Sequence, residues 1–91
     1  MDTITVTAQE PFRKLMDNEQ SVKITAKTIS EALQVLCRKF PIMAQRLVDK
    51  QGQVRPFINI YLNQEEIRFL SRETALRDGD EISIIPAISG G

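Results

Sequence analysis

Between Thr28 and Pro41 the chain carries the local signal that most restricts its fold. Thr28-Ile29-Ser30-Glu31 is a capping box, in which the threonine oxygen accepts from the backbone N–H three residues on and Glu31 reaches back to the cap. Ile29, Ala32, Leu33, Leu36, Cys37 and Phe40 then recur at helical spacing as a single apolar stripe, with Gln34, Arg38 and Lys39 facing away. Lys39 suits the negative end of the helix dipole, and Pro41 stops the helix at Phe40. One amphipathic helix has one stripe to bury, and nearly everything around it is patterned as strand.

Ile4, Val6 and Ala8 alternate with Thr3, Thr5 and Thr7, the period of a half-buried strand over residues 3–8. Pro11 and the polar run Asp17-Asn18-Glu19-Gln20 interrupt before Val22, Ile24 and Ala26 alternate again, which predicts a hairpin with a long, mobile connection. After the helix, residues 42–47 allow a further short helical turn and Asp49-Lys50-Gln51-Gly52-Gln53 is a polar turn. Phe57-Ile58-Asn59-Ile60-Tyr61-Leu62 is the strongest strand signal, with Ile58, Ile60 and Leu62 on one face and Phe57, Asn59 and Tyr61 on the other. Asn63-Gln64-Glu65-Glu66 turns the chain into a shorter expected strand, Ile67-Arg68-Phe69-Leu70. A turn at Arg77-Asp78-Gly79-Asp80 leads to the last strand, residues 81–85, and Pro86, which has no N–H to donate, is expected to end the pairing.

The predicted order is β-β-α-β-β-β: an α+β domain over residues 1–85 whose one main helix covers one face of a mixed sheet, followed by a flexible tail, residues 86–91, ending Gly90-Gly91. Ninety-one residues form one domain able to stand without disulfides. With no histidine and one cysteine, neither a His/Cys zinc site nor a Ser-His-Asp or Cys-His catalytic set can be assembled, which argues against an enzyme and against a bound metal. Twelve basic and twelve acidic residues cancel, so bulk charge attracts neither nucleic acid nor an anionic membrane. The balance is uneven: residues 1–56 hold nine Lys/Arg against six Asp/Glu, and residues 57–91 hold three against six. The acidic start Met1-Asp2, the short apolar runs and the single cysteine predict a cytoplasmic protein with no membrane span.

The segment Asp78-Gly79-Asp80-Glu81-Ile82-Ser83-Ile84-Ile85-Pro86-Ala87-Ile88-Ser89-Gly90-Gly91, closing a chain of this order, resembles the end of the ubiquitin-like sulfur carriers of the MoaD and ThiS kind. The resemblance implies a β-grasp fold, with the first and last strands side by side in the centre. Arg55-Pro56-Phe57-Ile58-Asn59-Ile60-Tyr61-Leu62-Asn63, continued by Glu65-Glu66-Ile67-Arg68-Phe69, is more similar to the CysO-type branch, which supplies sulfur for cysteine synthesis. By that resemblance Gly91 is the reactive terminus. An E1-like activating enzyme adenylates its carboxylate with ATP, and sulfide or a persulfide displaces AMP to leave a thiocarboxylate. The acceptor is then a cysteine synthase carrying pyridoxal phosphate, and a metallopeptidase releases the new cysteine; the carrier itself binds no cofactor.

Pro86, Ala87, Ile88, Ser89 and Gly90 form the arm expected to enter a partner's active site. Five residues beyond Pro86 span at most about 17 Å, and glycines without Cβ atoms pass a narrow channel. Phe57, Tyr61 and Phe69 either cover the second sheet face or, with a single helix available to hide apolar surface, remain exposed as a docking site for the activating enzyme. Asp78, Asp80 and Glu81, read as lying near the tail's root, are candidates to steer a basic partner, although acids flanking a turn glycine are ordinarily turn formers. Cys37, on the apolar stripe, reads as a small core residue. Three other readings stand beside this one. They are the small subunit of molybdopterin synthase, which would bind a large catalytic subunit; a ubiquitin-like modifier joined to lysines; and a plain β-grasp interaction module.

Overall fold

The helix forms where its stripe and cap demand, and it organises a five-stranded sheet. The computed structural model describes residues 3–10 and 12–86. Strands β1 (Thr3–Ala8) and β2 (Ser21–Thr25) precede helices α1 (Ile29–Lys39) and α2 (Pro41–Leu47); β3 (Ile58–Leu62), β4 (Glu65–Glu66) and β5 (Glu81–Pro86) follow. The strand order is β2-β1-β5-β3-β4. β1 and β5 are parallel neighbours at the centre, and the other pairings are antiparallel. This is the mixed sheet predicted, with first and last strands adjacent.

The period-2 alternation places one row of apolar side chains under the helices. Val6 stands opposite Ile82 and Ala8 opposite Ile84, while Ile84 also faces Ile60 and Ile82 faces Leu62. All are buried, as are Ile29, Ala32, Leu33 and Leu36 of α1 and Met43 and Leu47 of α2. The other face carries Thr5, Thr7, Ser83, Asn59 and Tyr61, which are half-buried.

The capping box closes as the sequence implies, with one shift. The Glu31 N–H donates to Thr28 Oγ1 at 3.1 Å, but the Glu31 carboxylate accepts from Lys27 N–H, one residue before the cap, at 2.9 Å. The next two free N–H groups of α1, on Ile29 and Ser30, donate to the Thr74 and Arg72 carbonyls at 3.2 and 2.9 Å. The approach to β5 thus fastens the start of the helix, and the N–H groups of its first three residues all have partners.

Three local expectations are corrected. The β1–β2 connection holds a 3₁₀ helix, Phe12–Met16, with Phe12 and Met16 buried, and a turn in which Asp17 and Asn18 adopt φ of 56° and 63°. The Glu19 N–H closes that turn on the Met16 carbonyl at 3.0 Å; Asp and Asn tolerate the left-handed region that such turns require. The expected strand at residues 67–70 is instead a 3₁₀ helix, Ile67–Phe69, and pairing is confined to Glu65 and Glu66. A strand would send Ile67 and Phe69 to one face, whereas the three-residue period turns Ile67 and Leu70 toward the core and leaves Phe69 outside. Finally, β5 includes Pro86, which the sequence reading had put in the tail, and β3 starts at Ile58, leaving Phe57 just before it.

Candidate functional site

The site predicted from the sequence is the end of β5 and what surrounds it. Residues 87–91, with the arm and Gly91, lie outside the described residues, as does Pro11, so the site is built from its root. Pro86 is the last residue of the ladder and faces Ile58. On the β3 side, the Asn63 N–H bonds the Glu81 carbonyl at 2.7 Å. Antiparallel alternation then makes Tyr61–Ser83 and Asn59–Ile85 the hydrogen-bonded pairs and leaves Ile58–Pro86 as a non-bonded one. On the β1 side, the Gln9 N–H donates to the Ile84 carbonyl at 3.1 Å, while the Gln9 carbonyl accepts from Phe12 and Arg13 N–H at 2.8 and 3.3 Å. The group that a residue at position 86 would have bonded is therefore already taken, and a proline fits there without loss.

Phe57 precedes the residue opposite Pro86 and is 71% exposed; Phe69 is 85% exposed. Tyr61 is half-buried on the polar face, between Ser83 and Glu66 on the flanking strands. The sequence alternatives for these rings thus divide: two are open to solvent and the third is partly covered. Arg68 precedes Phe69 in sequence and reaches the backbone on either side of Phe57: its Nη2 donates to the Ile58 carbonyl at 2.8 Å and to the Arg55 carbonyl at 3.0 Å. Its Nη1 donates to Glu66 Oε1 at 2.9 Å and to Asn59 Oδ1 at 3.2 Å. The sequence reading assigned Arg68 no role, because a lone arginine between apolar residues carries no local signal of the carbonyls it will meet.

The acidic residues do not share this location, which corrects their placement at the tail's root. Asp78, Asp80 and Glu81 stand before or at the start of β5, and a six-residue strand puts them about 17 Å from Pro86. Two of the three carboxylates are occupied with the turn. Asp78 Oδ1 accepts from Thr3 N–H at 2.7 Å, and Asp80 accepts from Arg77 N–H at 2.8 Å and from the Asn63 side-chain amide at 3.3 Å. Gly79, at φ 92°, supplies the bend. Glu81 is exposed.

Cys37 is half-buried and packs against the core. Burial pushes its thiol above the ordinary value of 9.0, so it is protonated and a poor nucleophile near neutral pH. A shallow cleft beside it is lined by Ser30, Gln34, Gln53 and Arg72 among others, and holds no acid–base pair. Among the described residues no three His, Cys, Asp or Glu side chains stand together as a metal site, and no helix is long and apolar enough to cross a membrane.

The profile of the ThiS family matches residues 9–91. The chain belongs to the ThiS family. Sulfur carrier protein CysO of Mycobacterium tuberculosis is 32% identical to this ThiS-family chain over 91 residues, which is 97% of this chain and 98% of that one. Small archaeal modifier protein 3 of Haloferax volcanii is 35% identical over 65 residues, 70% of each chain. Among solved structures, a chain of the Amycolatopsis orientalis BexX/CysO complex matches with a TM-score of 0.83 and 31% identity, over 97% of this chain and 99% of that one. The fold is the ubiquitin-like β-grasp, and these relatives are small carriers and modifiers rather than catalysts.

Proposed function

We propose that this ThiS-family chain is a sulfur carrier for cysteine biosynthesis, a protein co-substrate acting in the cytoplasm. In this reading the carboxylate of Gly91 is adenylated with ATP by an E1-like enzyme, with release of pyrophosphate. Sulfide then displaces AMP to give the thiocarboxylate directly, whereas a persulfide displaces it to give an acyl disulfide, from which attack by a thiol frees the thiocarboxylate and leaves a disulfide. Activation is needed because a carboxylate is a poor electrophile until one oxygen becomes a leaving group. The acceptor would be a cysteine synthase that brings its own pyridoxal phosphate, with a metallopeptidase returning the carrier to its carboxylate form.

The observation that supports this most is the root of the arm. The final central strand runs to Pro86, and the exposed Phe57 stands beside it, in a chain similar to CysO over nearly its whole length. The folded body would dock through Phe57, Phe69 and the edge of Tyr61, leaving residues 87–91 to reach inward. Reconstitution with an E1-like enzyme, ATP and a sulfur source tests it by mass spectrometry. The intact chain should gain the mass difference between oxygen and sulfur, and Gly91→Ala or deletion of Gly91 should abolish that gain while leaving circular dichroism unchanged. A thiocarboxylate formed on the Gly91→Ala chain would refute the assignment. Offering the thiocarboxylate to a cysteine synthase and to a molybdopterin synthase then decides the recipient by which one discharges it.

Similarity to the Haloferax modifier supports a second reading, in which Gly91 is joined to lysines of other proteins. Conjugates of higher mass with an isopeptide bond from Gly91 would establish it.

A further inference from the structure

We infer that Arg68 is a positioning residue that holds the arm-bearing end of the sheet and so sets where the arm leaves the body. β4 is two residues long and covers β3 only at Tyr61 and Leu62. The ladder alternation turns the backbone groups of Asn59 and Tyr61 toward β5, and those of Ile58 toward the opposite edge, which no strand of the described residues covers there. Arg68 occupies that edge. Its planar fork meets the Ile58 and Arg55 carbonyls through Nη2 at 2.8 and 3.0 Å, and the Asn59 side chain through Nη1 at 3.2 Å. A guanidinium suits this task because it presents several donors in one fixed plane.

The geometry matters for the arm because, among the described residues, the last hydrogen-bonded pair between β3 and β5 is Asn59–Ile85. Beyond it Pro86 has no N–H and faces Ile58 at a non-bonded position. Within the described residues the end of β5 is therefore held to β3 through the first residues of β3. Arg68 binds Ile58 and Asn59, the residues opposite Pro86 and Ile85, and Phe57 and Phe69 each stand one residue from a member of this clamp. The clamp thus fixes the arm's exit relative to the exposed rings. Its consequence for activation rests on the sulfur-carrier reading, whereas the clamp itself does not. A loosened root leaves docking intact but presents Gly91 less often in reacting geometry, which lowers kcat and spares KM.

Arg68→Met, Arg68→Lys and Glu66→Gln in the full chain test this by amide hydrogen exchange followed by NMR. In Arg68→Met the amides of Asn59 and Ile85 are expected to exchange at least about tenfold faster, with no change at Phe40, whose N–H is bonded within the helical layer. Glu66→Gln should match the unmodified chain, since the carbonyl contacts remain. Arg68→Lys should resemble Arg68→Met, since charge returns without the fork. Unchanged exchange at Asn59 and Ile85 in Arg68→Met overturns the inference, and so does equal acceleration at Phe40. Full recovery in Arg68→Lys, or acceleration in Glu66→Gln equal to that of Arg68→Met, overturns it as well by assigning the effect to charge alone. With an E1-like enzyme and ATP, Arg68→Met should lower kcat for pyrophosphate release by about tenfold while KM stays within about twofold. Failure of the unmodified chain to be adenylated would remove the sulfur-carrier reading and leave the exchange result to judge the clamp; adenylation of both chains at equal rates would overturn the positioning role.

Discussion

Phe57 and Phe69 are the most exposed large apolar side chains among the described residues. Phe57 and Phe69 give up the stabilisation that burying a large apolar side chain brings, about 1.5–3 kcal/mol each. Because they contribute little to the folded core, Phe57→Ala and Phe69→Ala are expected to change stability by no more than about 0.5 kcal/mol in urea titrations. If they form the docking surface, the double variant raises KM for the activating enzyme severalfold; an unchanged KM would dismiss that role. Cys37 is the contrasting case. Burial raises its folded pKa above 9.0, so above the pH at which the unfolded thiol ionises the folded chain retains the extra proton. Stability from this group therefore falls as pH rises past about 9 and is constant below it. Iodoacetamide labelling of the folded chain at pH 8 should be slower than that of the urea-unfolded chain; equal rates would show that the thiol is neither buried nor shifted.

At the scale of elements, α1 and β5 were legible because their signals are local and mutually consistent. The capping box, stripe and closing proline all predict the same helix, and Ile82 and Ile84 fall on the buried face that alternation assigns them. The segment at residues 67–70 was not legible. Four residues of mixed apolar character fit a strand or a helical turn equally, and the choice is made by where the core lies relative to Ile67 and Leu70. The Phe12–Met16 turn is a similar case, since two buried residues separated by three charged or half-exposed ones have too short a period to declare themselves. The central pairing carries the strongest energetic expectation. Ile84 is fully buried and faces both Ala8 and Ile60, so Ile84→Ala should cost about 2–5 kcal/mol in chemical denaturation. A loss below about 1 kcal/mol would mean that this layer is not the packed centre of the fold.

For the whole molecule, the β-grasp arrangement separates two tasks. The helices and the inner sheet face make a stable body, while the central strand β5 ends at Pro86, the point from which residues 87–91 continue. Removing Gly91 should therefore leave the unfolding midpoint within about 1 °C of the intact chain, since a change of a few tenths of a kcal/mol at most is involved. A shift of several degrees would mean that the arm packs on the body, against the reading of a free reactive terminus. By itself the sequence determined the helix, its cap, the alternating strands and the diglycine that gives Gly91 its proposed chemistry, because each depends on residues close together in the chain. Only the tertiary structure decided that Asp78 and Asp80 are engaged by Thr3 and Asn63, far along the chain from them. It alone also decided that Phe57 and Phe69 remain in solvent and that Arg68 closes the bare edge of β3. Those placements follow from which strands become neighbours and where their ladders stop, and no local pattern of side chains encodes that.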